Sequence, residues 1–301
     1  MKTLQEYAAI VNDRLNTIIP ELAEDHFAER EIPGLLARSM RYSLLAGGKR
    51  LRPSMLLAAV EMLGGEIDDA LDFACAVEMI HTYSLIHDDL PGMDDDTLRR
   101  GRATNHVVFG VGQAILAGDG LLNGAFERML EAAMKRPEQA SCALNAIREI
   151  AEGAGVRGMI AGQVIDLDCE HRSLVSEDAL NCMQYGKTAC MFIHPLRAAG
   201  FLAGAEPEWI EALGRYGEMF GRVFQASDDL LDVVGTKEAM GKTLGKDAEQ
   251  GKLTSVALYG VEGTRRKIAE MTAEGMRVLD IFDERADFFR DLLARMTNRT
   301  N

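Results

Sequence analysis

The chain has 301 residues, 47% of them apolar, with seven prolines and a formal net charge of −14. Such an acidic surface opposes attraction to nucleic-acid phosphates and anionic lipid, so neither nucleic acid nor stable membrane association is expected. Five cysteines (Cys75, Cys142, Cys169, Cys182 and Cys190) include no Cys-x-x-Cys pair, which argues against both a zinc knuckle and a disulfide framework.

At about twice the usual domain length the chain could hold two domains, but no linker, repeat or low-complexity tract divides it. A single domain over residues 1–301 with a large core is expected. The opening MKTLQEYAAIVNDRLNTIIP carries Glu6 and Asp13 among its apolar residues and lacks the apolar run of a signal peptide. No stretch reaches eighteen apolar residues, so a cytoplasmic protein is expected.

Apolar residues recur at spacings of three and four through most of the chain, with little period-two alternation, which predicts an all-α protein. Helices are expected over 3–18, 34–46, 53–63, 67–89, 111–134, 138–158, 176–203 and 207–234, with shorter ones toward the C-terminus. Gly47-Gly48 suits the end of the second, and Pro53 the first position of the third. The stretch 235–254, with four glycines, four lysines and no apolar period, reads as a mobile loop.

Two aspartate clusters stand out. HDDLPGMDDDTLRRG, residues 87–101, holds five aspartates within nine positions and then two arginines. On a regular helix Asp88 and Asp94 would lie about 240° apart, but a break at Pro91-Gly92 could return Asp94 beside Asp88. His81 precedes Asp88 by two turns on the same face. In FQASDDLLD, residues 224–232, Asp228 and Asp232 lie about 40° apart on one helix face with Gln225 within about 60°.

Alone, such a cluster could be a solvated acidic stripe, but Phe224, Leu230, Leu231, Val233 and Val234 surround the second one, which favours a polar focus on a buried helix. Clustered carboxylates suit Mg²⁺ or Ca²⁺ rather than zinc or copper, and neither cluster has the order of a calcium loop. Magnesium completes its shell with water and phosphate oxygens, which implies a phosphorylated ligand facing both clusters. Positive charge is concentrated to match. GGKRLRP groups Lys49, Arg50 and Arg52 on a glycine-led turn, and Arg99-Arg100 follow the first cluster.

From about residue 30 to 255, GGKRLRP, DDLPGMDDDTLRRG, GQVIDLD, YGKTA and FQASDDLLDVVG resemble, in order and spacing, the trans-isoprenyl diphosphate synthases. Within that family the bacterial farnesyl type is nearest. The resemblance implies a helical bundle around a deep central cavity, two aspartate motifs on opposing helices and a homodimer. It also implies a reaction in which an allylic diphosphate, held by about three Mg²⁺, ionises and is attacked by isopentenyl diphosphate.

By the same resemblance Asp88, Asp94 and Asp228 are the principal metal ligands, supported by Asp89, Asp229 and Asp232. Arg99, Lys187 and Lys242 would hold the allylic diphosphate, and Lys49, Arg52, His81 and Arg100 the isopentenyl diphosphate. Thr188, Gln225 and the Lys187 carbonyl would face the allylic cation, and Lys252 would help close the site. Two departures, Ala161 for the first Gly of a GGQ motif and Ser227 before the second cluster, leave every carboxylate and cation in place. Arg299 stands near where the family covers the site with basic residues.

Tyr83 and Ser84, the fifth and fourth residues before Asp88, occupy the positions where the family sets product length. A ring at Tyr83, about 7.5 Å along the helix from Asp88, could floor the cavity at fifteen carbons. A farnesyl product is expected, with a twenty-carbon geranylgeranyl product as the alternative. A terpene cyclase fits less well, because the second cluster and the Lys49, Arg52 and His81 group are intact. A non-catalytic binding subunit fits less well because no acid or cation is lost.

Overall fold

The computed structural model describes residues 1–172, 176–234 and 252–298. Their regular elements are helices but for one hairpin of two-residue strands, β1 (Leu98–Arg99) and β2 (Arg102–Ala103), paired antiparallel with Leu98 opposite Ala103. The described residues form two compact units, one of Lys2–Glu61 with Glu66–Ile147, the other built mainly from Arg148 onward.

The first unit contains α1 (Leu4–Ile18), α2 (Gly34–Leu44), α3 (Leu51–Met62), α4 (Ile67–Asp88), α5 (Asn105–Phe109) and α6 (Val111–Met134). Thr3 and Glu6 close a reciprocal capping box on α1, which satisfies amides that the first turn leaves without helical partners. α4 is the central element. From Phe73 to Ile80 it is buried without a break, so its apolar residues run around the helix instead of along one stripe. It packs against α6, whose Ala114, Ala117, Gly118, Leu121 and Ala125 let the two backbones approach.

The second unit contains α8 (Met159–Arg172), α9 (Glu177–Gln184), α10 (Cys190–Leu202), α11 (Pro207–Val234), α12 (Ser255–Val278) and α13 (Asp287–Asn298); α7 (Ala140–Ala154) crosses the division of the chain. Its core is aromatic: Tyr216, Phe220, Phe289 and Phe192 are buried, with Phe192 and Phe220 ring centroids 5.0 Å apart and Tyr216 and Phe289 5.4 Å apart. The Tyr216 hydroxyl donates to the Phe289 carbonyl at 2.8 Å, so the buried phenol carries no unpaired donor.

Several boundaries differ from expectation, each for a local reason. Pro53 is the third residue of α3, still within the turn whose amides lack helical partners. The helix expected over 138–158 is a 3₁₀ turn at Pro137–Gln139 followed by α7; the chain then turns through Gly155 and Gly158 and begins α8, which apolar periodicity missed because GQVIDLDCEH mixes polar and apolar residues. The expected helix over 176–203 is interrupted by a π turn at Tyr185–Ala189. The short C-terminal helices are instead the 24-residue α12, bent at Gly260, a 3₁₀ segment and α13. Most of the glycine- and lysine-rich stretch, residues 235–251, lies outside the described residues.

The π turn rests directly on α8. A Cβ at Gly162 would stand 1.9 Å from the Lys187 amide nitrogen, and one at Gly186 would stand 2.8 Å from the Gly158 carbonyl oxygen. Both positions admit only hydrogen. Gly162→Ala must therefore push α8 off the π turn, and we expect a loss of more than about 2 kcal/mol, read as a lowered Tm. An unchanged Tm would show that the two backbones can part without cost.

Candidate active site

α4 ends at Asp88, and the Asp94 amide donates to the Asp88 carbonyl at 2.9 Å. Gly92 and Asp95 take positive φ, so the Pro91-Gly92 segment closes a loop that brings the second group of aspartates back to the helix end. Asp88 and Asp94 are half-buried. Asp89 is 3% exposed and accepts from the Arg99 guanidinium, with Nε 2.8 and 2.9 Å from its two oxygens. Burial pushes the Asp89 carboxyl up despite this partner, whereas for Arg99 the bond and charge of Asp89 outweigh burial and raise the guanidinium.

The β1–β2 hairpin carries Arg99 and Arg100. Tyr42 on α2 donates to the Ala103 carbonyl at 2.7 Å, and Arg102 lies over its ring at 4.5 Å. Buried Asn105 ties the following turn to α2 through the Ser39 hydroxyl and carbonyl and the Ser43 hydroxyl. Arg100 donates to the Gly47 carbonyl and lies across Gly48, where a Cβ would meet its guanidinium at 2.6 Å. The glycine-led turn and the arginine pair, far apart in sequence, thus meet. Burial, followed by the charges of Arg52, Arg100, Arg99 and Arg50, drives the His81 imidazole well below its ordinary range and keeps it neutral.

Arg50 differs from its neighbours. It is 3% exposed and turned inward, whereas Lys49 is exposed and Arg52 half-buried. Tyr83 is 6% exposed and meets His87 edge-on, ring centroids 5.6 Å apart. His87 lies within 3.0 Å of the Ile115 carbonyl through Nε2, in the space left by Gly118. Ser84 donates to the His81 carbonyl, within its own helix.

In the second unit, the π turn presents Lys187 and Thr188. Lys187 Nζ lies 2.5 Å from Asp166 on α8, and the Thr188 hydroxyl donates to Gln225 at 2.7 Å. Gln225 passes the connection on by donating to Asp229 at 2.9 Å. Asp229, 4% exposed, also accepts from the Ser255 amide at 2.8 Å and from Gln184 at 3.4 Å. Asp228 and Asp232 are half-buried on α11, and Lys252 lies 3.7 Å from Glu170. Lys242 and Arg299 lie outside the described residues.

Gln184, Ser255 and Tyr42 are the supporting residues that the sequence did not single out. GQVIDLD contains Asp166, but nothing in the sequence points from Gln184 to Ser255, 71 positions away. Among the described residues no three His, Cys, Asp or Glu side chains converge on a preformed metal cage. The donor set still suits magnesium, which needs only one or two carboxylates when phosphate and water complete its shell. Asp232 Oδ2 is buried and has no hydrogen-bond partner among the described residues, as a carboxylate oxygen meant for a cation would be.

An all-α scaffold bearing paired aspartates with adjacent braced cations defines a class of enzymes that act on diphosphates. The polyprenyl synthetase family model matches residues 33–280. The farnesyl diphosphate synthase of Bacillus subtilis is 40% identical over 93% of this chain and 94% of its own. The geranylgeranyl diphosphate synthase of Cyanophora paradoxa is 39% identical over 99% of this chain and 96% of its own. Among solved structures, an FPP/GFPP synthase from Zymomonas mobilis superposes with a TM-score of 0.85 at 29% identity, covering 98% of this chain and 97% of its own. The chain belongs to the polyprenyl synthetase family and is a prenyltransferase with the isoprenoid synthase fold.

The neutral His81 gives the fold a pH dependence. Below the ordinary imidazole value of 6.5 the unfolded chain binds a proton that the folded chain refuses, so stability falls as pH drops through 6.5 toward the lower folded value. Urea denaturation on either side of pH 6.5 should show this slope, and His81→Gln should flatten it. An equal slope in both proteins would assign the titration to another group.

Proposed function

We propose that the chain joins isopentenyl diphosphate to dimethylallyl or geranyl diphosphate and stops at farnesyl diphosphate. The observation that carries this reading is the loop tying Asp94 to the end of α4 beside Asp88, with Asp89 holding Arg99 next to them. It gathers carboxylates for a metal-diphosphate complex and a fixed guanidinium for the phosphate oxygens.

In this reading Asp88, Asp94, Asp228 and Asp232 hold about three Mg²⁺, and bound magnesium neutralises charge developing on the departing diphosphate. Asp89 and Asp229 act one step back, the first on Arg99 and the second on Gln225. Arg99, Lys187 and Lys242 bind the allylic diphosphate. Lys49, Arg52, neutral His81 and Arg100 bind isopentenyl diphosphate. The allylic carbon–oxygen bond breaks, its electrons leave with the diphosphate, and the double bond of the second substrate forms the new carbon–carbon bond; loss of a proton completes the product. Thr188 donates its proton to Gln225, so its lone pairs remain available to the allylic cation together with the Lys187 carbonyl. Lys252 helps exclude water.

The names of the relatives divide between farnesyl and geranylgeranyl synthases, and Tyr83 favours the shorter product. Its ring is buried on α4 before Asp88 and braced by His87, a floor that a growing chain could not easily push aside. Ser84 is too small to share this role. Purified protein given labelled isopentenyl diphosphate and either starter should make a fifteen-carbon product with Mg²⁺ and none with EDTA. Tyr83→Ala should shift the product to twenty carbons or more. A wild-type twenty-carbon product would favour the geranylgeranyl alternative, and no product would sink the reading.

The chain also works as a homodimer in this reading. Val111, Ile115 and Leu116 on α6 are 44, 40 and 53% exposed, and Val111 and Ile115 stand one turn apart, an apolar stripe that a second copy would cover. No described helix is long and apolar enough to cross a membrane. Ile115→Asp should convert a dimer to a monomer in size-exclusion chromatography with light scattering; a persistent dimer would move the interface elsewhere.

A further inference from the structure

Arg50 carries the next inference, which rests on the assignment of Lys49, Arg52, His81 and Arg100 to isopentenyl diphosphate. All three nitrogens of its guanidinium are engaged by groups from different elements. Nε donates to Asn12 on α1 at 2.8 Å, one terminal nitrogen to Glu78 on α4 at 2.5 Å, and the other to the Leu44 carbonyl at the end of α2 at 2.7 Å. The Arg50 and Glu78 side chains are 1 and 3% exposed. Arg50 also holds φ at +47°, a left-handed backbone that few residues other than glycine adopt.

Such an arrangement is poorly explained by stability alone. A buried ion pair usually gains no more than well-packed apolar side chains would, because both charges must leave water, and a left-handed backbone adds strain. What the pair does supply is fixed position. Arg50 lies between Lys49 and Arg52 in sequence, and Glu78 lies three residues, about one helical turn, before His81. Arg100 is seated on Gly47 and Gly48 of the same turn, and Glu78 adds a favourable charge to it. One buried guanidinium therefore joins the turn with two proposed cations to the stretch of α4 that bears His81, beside the fourth group.

We propose that Arg50, clamped by Glu78, Asn12 and the Leu44 carbonyl, is a positioning residue for the isopentenyl diphosphate subsite and not a phosphate ligand. Its three nitrogens are occupied and turned inward, so it acts through Lys49, Arg52 and Arg100. Lysine cannot replace it, because one ammonium on a flexible stem cannot reproduce a planar fork reaching three separated acceptors.

The test compares three variants in steady-state kinetics with each substrate varied in turn, with Tm recorded for each. Arg50→Lys should raise the KM for isopentenyl diphosphate about tenfold while KM for the allylic substrate and kcat stay within about twofold. Asn12→Ala removes only the Nε bond and should shift the same KM in the same direction by a smaller factor; it decides the matter if Arg50→Lys does not fold. Arg52→Ala tests the subsite directly. If it raises the isopentenyl diphosphate KM while Arg50→Lys and Asn12→Ala leave it unchanged, or move both substrates equally, the positioning role is overturned and the subsite stands. If Arg52→Ala leaves that KM unchanged, the subsite assignment fails and the inference fails with it.

Discussion

Like charges gathered close together repel one another, and the local architecture of this protein reflects how that repulsion is met. At several positions a buried carboxylate is built in as a bracket: Asp89 for Arg99, Asp166 for Lys187 and Glu78 for Arg50. Each bracket is nearly inaccessible to solvent, so its charge is little screened and its geometry little disturbed. Part of the acid in the composition therefore braces arginine and lysine side chains.

The same residues explain why the backbone is irregular where the chemistry is proposed. A regular helix could not place Asp94 beside Asp88, and the Pro91-Gly92 loop does so through one backbone hydrogen bond. The π turn at Tyr185–Ala189 likewise adds a residue within a helix, turning Lys187 toward Asp166 while Thr188 reaches Gln225. Gly162 makes this possible by letting α8 lie against the turn without a side chain. From Thr188 through Gln225 and Asp229 to Ser255, hydrogen bonds then connect the turn to α11 and the start of α12.

In the proposed reading, chemistry and product length draw on separate parts of α4. Asp88 and Asp89 stand at its C-terminal end, while Tyr83 lies one and a half turns earlier, against a ring that is itself seated in the space left by Gly118. In that reading a change near Tyr83 would move the floor without touching a carboxylate or cation.

The all-α class, most of the long helices, both aspartate motifs and the basic turn were legible in the sequence, because helical period, residue chemistry and local spacing are one-dimensional properties. The return of Asp94 could be anticipated from Pro91-Gly92 because a local break in the backbone causes it. The tertiary structure alone decided that Arg50 turns inward while Lys49 stays exposed, that Asp89 serves Arg99, and that Asp229 serves Gln184 and Ser255. Adjacent residues of like chemistry carry no local signal of which will be buried. That choice rests on distant partners, Glu78 and Asn12 at 28 and 38 positions from Arg50, and Ser255 and Gln184 at 26 and 45 from Asp229, which only the folded chain brings within hydrogen-bond distance.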